Sequence, residues 1–217
     1  MSNFAAARTA MVDNQVRPSD VTSYPIIEAM LTIPRERFVP VALRSVAYAG
    51  EHLTLAPGRV LLDPRTFAKM IEASDIGPDD LVLDAGCGLG YSTAVLARLG
   101  AAVIAVESDE DMARAAAETL SELEAHNAEV VPGPLDQGAG DHAPYNVIFI
   151  QGGVEEVPQA LSDQLREGGR MVLIRMSGAY GRCEVLTKVN GALSAWRVFD
   201  AAAPVLEGFE KAAVFEF

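Results

Sequence analysis

The chain has 217 residues, half of them hydrophobic (50%), and a formal net charge of −13. That size and apolar content can bury a core, so a single domain over residues 1–217 is expected. The acidic balance argues against a nucleic-acid surface, which needs clustered Lys and Arg. Two cysteines, Cys87 and Cys183, and three scattered histidines give neither a disulfide framework nor a metal-ligand spacing, so no metal is expected. No apolar run reaches the roughly 18 residues of a membrane helix. Met1-Ser-Asn-Phe-Ala5 lacks a basic region followed by an apolar core, so the expected location is cytoplasmic, with no membrane partner.

In chain order, Ala5 to Val16 is rich in helix formers and ends at Arg17-Pro18, where proline disfavours helix in the preceding residue. A second helix is predicted from about Thr22 to Leu31, with Ile26, Ile27, Met30 and Leu31 as its apolar stripe. Ile33 to Pro40 is a proline-bracketed connector anchored by Phe38 and Val39. Tyr48 to Gly58 is a loop or short hairpin, Arg59 to Pro64 is strand-like, and Arg65 to Ala73 is a helix. Residues 1–73 thus form an N-terminal helical segment ahead of a core over 74–217.

The core opens with Leu81-Val-Leu-Asp-Ala85, an apolar run after the turn-like Gly77-Pro78-Asp79-Asp80, which reads as a buried strand. Gly86, Gly88 and Gly90 follow Asp84 at every second position, and Thr93 to Leu99 reads as a helix. Glycines there let the chain turn sharply and let a ligand approach backbone N–H groups. Ala102 to Glu107 is a second strand, ending in a carboxylate that can accept from both hydroxyls of a ribose. The spacing Asp84-x-Gly-x-Gly-x-Gly90 differs from the dinucleotide pattern and resembles the loop of class I S-adenosylmethionine (SAM) methyltransferases. On that resemblance Asp84 is available to the cationic amino end of the methionine moiety. A plain Rossmann turn without ligand and a nicotinamide enzyme are the competing readings of the loop alone.

Beyond it, Asp109 to Leu123 is a helix with Asp109 as N-cap. Glu129 to Val131 is a strand that leads into Pro132-Gly-Pro-Leu-Asp-Gln-Gly138. Tyr145 to Ile150 is a strand ending at Gln151-Gly-Gly153, followed by a helix from Val157 to Leu165 and a strand from Gly168 to Ile174. Glu184 to Val189 and Ala192 to Phe199 make a hairpin about Asn190-Gly191, and Ala213 to Phe217 alternates like an edge strand. The predicted fold is therefore α/β: a three-layer Rossmann-like sandwich of the SAM-methyltransferase kind, with an N-terminal helical extension and a C-terminal β-hairpin.

Along most of its length the chain resembles the protein-L-isoaspartate O-methyltransferase family. The matching pieces are Met11-Val-Asp-Asn-Gln15, Ile33-Pro-Arg-Glu-Arg-Phe-Val-Pro40, Ala47-Tyr48, the loop glycines with Tyr91-Ser-Thr-Ala-Val-Leu-Ala97, Ala143-Pro-Tyr145, Val157-Pro158 and Leu165-Arg-Glu-Gly-Gly-Arg170. The resemblance implies a SAM-dependent enzyme that methylates the abnormal α-carboxylate of isoaspartyl residues in damaged proteins, with residues 1–73 on the substrate side. It implies cofactor contacts at Asp84, Gly86, Cys87, Gly88, Gly90, Glu107, Ser108, Pro134, Leu135 and Gln151.

The substrate side departs from the family pattern. Where the family has Gly-Gln-Thr-Ile-Ser-x-Pro, this chain has Gly58-Arg-Val-Leu-Leu-Asp-Pro64, so Val60 and Leu62 replace two hydroxyls and Asp63 adds a negative charge. Arg59 or Arg65 could hold a substrate carboxylate bidentately instead. Pro134 stands where the family's adenine-side Asp is expected, and Gln151-Gly-Gly153 replaces Thr-Ala-Ala. Weak isoaspartyl turnover is the resulting expectation. The alternatives are a methyltransferase with another, small-molecule acceptor in a pocket of Val60, Leu61 and Leu62, and a non-catalytic module binding SAM or S-adenosylhomocysteine (SAH).

Overall fold

The computed structural model describes residues 3–212, so the strand expected at Ala213 to Phe217 lies outside the described residues. Helix α1 (Phe4–Met11) is capped by the Asn3 side chain, which accepts from Ala6 N–H. A π-helical turn, Val12–Val16, continues it to the predicted end. Helix α2 (Tyr24–Thr32) carries Pro25 in its first turn, where no intrahelical donor is lost, and buries Ile26, Ile27 and Met30. Short 3-10 turns at Arg35–Phe38 and Val41–Val46 follow, and Phe38 and Val39 are buried as expected.

Strands β1 (Leu53–Ala56) and β2 (Arg59–Leu61) form an antiparallel hairpin separate from the main sheet. Its turn needs Gly58, whose φ is +71°. Helix α3 (Pro64–Ser74) comes next, with Asp63 as N-cap. The core then alternates: β3 (Leu81–Ala85), α4 (Tyr91–Leu96), β4 (Ala102–Glu107), α5 (Glu110–Glu122), β5 (Ala128–Pro132), β6 (Tyr145–Val154), α6 (Gln159–Gln164), β7 (Leu165–Ser177), β8 (Tyr180–Val189) and β9 (Ala192–Asp200).

The main sheet has seven strands in the order β5-β4-β3-β6-β7-β8-β9. The first five run parallel, and β8 and β9 are antiparallel additions. Side chains of β3 alternate between the faces. Val82 joins one apolar cluster with Val103, Val147, Phe149 and the buried residues of α1 to α4. Leu83 and Ala85 join the other, with Ile148, Leu161, Leu173, Leu206 and Phe209. The sheet is thus covered on both faces, as buried parallel strands require.

Asn190 (φ 52°) and Gly191 (φ 77°) both take the left-handed conformation that a tight hairpin turn between β8 and β9 demands. Three strands run well beyond their predicted bounds, β8 by starting at Tyr180 rather than Glu184. β6 continues through Gln151-Gly-Gly153 after a register irregularity, and β7 spans Leu165–Ser177 rather than 168–174. The glycines explain the β6 extension: a Cβ on Gly152 would meet Leu206 at 2.6 Å, and one on Gly153 the Ala203 carbonyl oxygen at 2.6 Å. The tail over 203–209 lies against this strand end, with Gly153 N–H donating to Pro204 O (2.8 Å) and Leu206 N–H to Gly153 O (3.0 Å).

Candidate active site

Strands β3 and β4 are parallel neighbours, so their carboxyl ends lie side by side, and β6 flanks β3 on the other side. The crevice outside such a switch point is where open α/β sheets place ligands. Gly86 (φ 82°) and Gly88 (φ 58°) turn the loop back across the strand ends. Gly90 (φ 91°) serves a different purpose. It begins α4, and a Cβ there would lie 3.1 Å from Ala116 Cβ, so it permits the close approach of α5 rather than of a ligand.

Asp84 was expected to face the ligand, and the structure corrects this. Its carboxylate is fully buried and accepts from Ser92 Oγ (2.7 Å), Thr93 Oγ1 (2.7 Å) and Gln151 Nε2 (2.9 Å). Burial pushes its pKa up to about 6, against the lowering effect of the three donors, because none of them carries a charge. Gln151 likewise serves the Asp84 carboxylate. Cys87 is buried, and burial first, then Asp84 and Glu107 nearby, push its thiol pKa up, so it packs as a neutral group.

Glu107 is also fully buried, but its partners differ. It accepts from Arg59 through Nη1 (2.6 Å) and Nη2 (2.5 Å), from Gly88 N–H (2.7 Å) and from Asp109 N–H (3.1 Å). Arg59 reaches over the glycine loop from β2, and a Cβ on Gly86 would lie 3.5 Å from its Nη2.

A cavity of about 510 Å³ adjoins this corner, lined by Ser108, Pro132, Gly133, Pro134, Leu135 and Asp136 of the expected adenine side and by Glu207 and Gly208 of the tail. A second, of about 530 Å³, has the turn Pro57-Gly58, Arg59, Ser108, Asp109 and Leu135 in its walls. The arrangement suits a nucleoside cofactor: a buried carboxylate at a strand end, glycine backbone beside it, and one strand further on a cavity of mixed lining, with Pro132, Pro134 and Leu135 for a base and Ser108, Glu110 and Asp136 as polar groups around it.

On the substrate side, the structure engages Leu61 with Leu62, Asp63 and Arg59 otherwise than expected. Leu62 is 1% exposed and belongs to the core, so with Leu61, also buried, it lines no pocket; Val60 is half-buried against the same cluster. Asp63 is not a free repulsive charge. It caps α3 by accepting from Thr66 N–H (2.9 Å). Arg65 is exposed and forms no ion pair among the described residues. Arg59 is engaged by Glu107.

Several residues that hold the site together carry no obvious signal in the sequence. Arg35 is buried, its guanidinium 4.8 Å from the Tyr91 ring centroid, donating from Nε to Ala47 O (2.7 Å) and from Nη2 to Leu62 O (2.7 Å). It ties the segment before the hairpin to the segment after it. His52 Nδ1 accepts from Asp63 N–H (2.9 Å), which places the proton on Nε2, donating to Ala202 O (2.9 Å). A neutral ring in that tautomer makes the 3.3 Å approach of Asp63 Oδ2 a contact rather than an ion pair. Leu55 of β1 lies 2.7 Å from where a Gly88 Cβ would be, and Leu206 lies 3.3 Å from that of Gly86. The Ser92 and Thr93 hydroxyls, directly after the glycine loop, were the one readable signal for the Asp84 pocket.

The profile of the family described as Protein-L-isoaspartate(D-aspartate) O-methyltransferase (PCMT) matches residues 6–195. The chain belongs to this family. A protein-L-isoaspartate O-methyltransferase of Koribacter versatilis (strain Ellin345) is 36% identical over 200 residues, covering 92% of this chain and 90% of its own. One from Methanoculleus marisnigri is 39% identical over 165 residues, covering 76% and 75%. A solved protein-L-isoaspartate O-methyltransferase superposes with a TM-score of 0.78 at 25% identity, over 94% of this chain and 65% of that one. A Plasmodium falciparum structure, described as a PCMT in complex with S-adenosyl-L-homocysteine, superposes with a TM-score of 0.77 at 18% identity, over 95% and 99%, and shows the shared fold. As a member of the PCMT family, the chain is a SAM-dependent methyltransferase of Rossmann-like α/β fold. Among the described residues no helix is long and apolar enough to cross a membrane.

Proposed function

We propose that this protein transfers a methyl group from SAM to the carboxylate of isoaspartyl residues in damaged proteins or peptides, in the cytoplasm. The observation that carries the reading is Glu107, a buried carboxylate at the end of β4 beside the Gly86–Gly88 turn, in a chain that matches the PCMT family over residues 6–195. Bound SAM supplies a methyl group made electrophilic by its sulfonium. Glu107 and the Gly88 region would hold the ribose, and Ser108 with Pro132 to Leu135 would enclose the adenine. Gly86 would take the methionine end by backbone contact, with Asp84 supporting the loop from beneath.

The acceptor carboxylate is already ionised at pH 7, so the chain needs no general base. Its contribution is orientation and partial desolvation of the nucleophile. With no hydroxyl at Val60, the half-buried position of the pair, slow turnover is expected. Shared core contacts between α1 to α4 and the sheet support residues 1–217 acting as one domain, with 1–73 forming the substrate side.

The test is methyl-ester formation from SAM on an isoaspartyl peptide beside its normal aspartyl counterpart. Labelling of the first alone supports the reading. Equal labelling of both, or SAM binding without labelling of either, would set isoaspartyl specificity aside.

A further inference from the structure

Glu107 has two oxygens, and four donors already use them: the two terminal nitrogens of Arg59, at 2.6 and 2.5 Å, and the N–H groups of Gly88 and Asp109. An ionised carboxylate offers about four acceptor positions. None remains for a ribose diol. Of the four donors, two are main-chain groups fixed by the loop, and two belong to one side chain that can swing. Anything that hydrogen-bonds to Glu107 through two hydroxyls must therefore displace Arg59.

The position of Arg59 supports an exchange of this kind. It sits on a two-stranded hairpin outside the main sheet, next to the Gly58 turn, and forms a wall of the cavity shared with Ser108 and Leu135. From the same hairpin, Leu55 covers Gly88. One displacement of the hairpin would uncover the glycine turn and free Glu107 together.

We propose that Arg59 is a gating residue: in the free protein its guanidinium stands in for the cofactor's ribose on Glu107, and cofactor binding must break that ion pair. The inference rests on the reading of Glu107 as the ribose acceptor. It concerns binding alone and is independent of which acceptor is methylated.

The test is the affinity for SAH, measured by calorimetry on the full chain, in the wild type, Arg59→Lys and Arg59→Gln. Losing two charge-assisted hydrogen bonds from the free state alone should tighten SAH binding by at least about tenfold in Arg59→Gln. Arg59→Lys keeps the charge but not the bidentate geometry and should fall between the two. The ligand-free Arg59→Gln protein should melt lower than the wild type and gain more in melting temperature on adding SAH, a coupling that a merely structural arginine would not give. Equal or weaker SAH binding in Arg59→Gln would overturn the gate while leaving the cofactor reading intact. Absence of SAH binding in all three proteins would overturn both. If Arg59→Gln fails to fold, Arg59→Lys decides alone: tighter binding supports the gate and unchanged binding overturns it.

Discussion

Asp84 and Glu107 end adjacent strands, are equally buried, and are satisfied in opposite ways. Asp84 takes two hydroxyls and an amide, all neutral and all from packed side chains, and its pKa rises to about 6. Glu107 takes two main-chain N–H groups and a bidentate arginine that reaches in from a peripheral hairpin. A carboxylate held by its own fold supports a site; one held by a side chain from outside the sheet can exchange partners. The same contrast repeats between Leu62, locked in the core, and Arg59, three residues earlier, in the crevice.

The strongest way to break the contrast is Glu107→Ala. It leaves Arg59, whose side chain is 13% exposed, without its counter-charge, and should cost about 3–5 kcal/mol in urea unfolding. A loss below about 1 kcal/mol would mean that Arg59 simply turns to solvent and was never a buried partner. Leu62→Ser should follow at about 3 kcal/mol, since it empties a core position and buries a hydroxyl, whereas Val60→Thr at a half-buried position should cost under about 1 kcal/mol. Restored activity in Leu62→Ser without that loss of stability would place residue 62 in the substrate pocket after all.

Asp84 gives a pH signature. Its folded pKa, about 6, lies above the unfolded value of 3.8, so its contribution is fully present below pH 3.8 and is lost as pH rises through 6. Between pH 4 and 7 the wild type should lose up to about 3 kcal/mol relative to Asp84→Asn, read as the difference between two denaturation series. A flat difference would mean that the three neutral donors hold the ionised form as well as water does. A smaller effect than at Asp84 is expected at His52. His52→Ala removes the link between Asp63 N–H and Ala202 O and should cost about 1–2 kcal/mol, with faster amide exchange confined to residues 201–209.

The sheet, the bounds of β3 and β4 and the hairpin at Asn190-Gly191 were legible in the sequence because period, turn chemistry and glycine placement are local signals, whereas the ends of β6, β7 and β8 were not. The Asp84-x-Gly-x-Gly spacing likewise located the crevice. What the sequence did not carry was pairing across distance. Asp84 looks ligand-facing until Ser92, Thr93 and Gln151 are seen to enclose it, and Asp63 looks like a stray charge until it caps α3. Val60 and Leu62 read as adjacent pocket positions, but the chain leaves the strand at Leu61 and sends Leu62 into the core. The tail over 203–209 reads as featureless, and it is Gly152 and Gly153 that admit it to the strand end.

The central claim is that Glu107 exchanges an arginine for a ribose, and a crystal structure of the protein soaked with SAH tests it most directly. The account predicts both ribose hydroxyls on the Glu107 carboxylate, the Gly88 N–H bond kept, and Arg59 swung clear of the crevice. An SAH molecule bound elsewhere, with Arg59 still bidentate on Glu107, would contradict it.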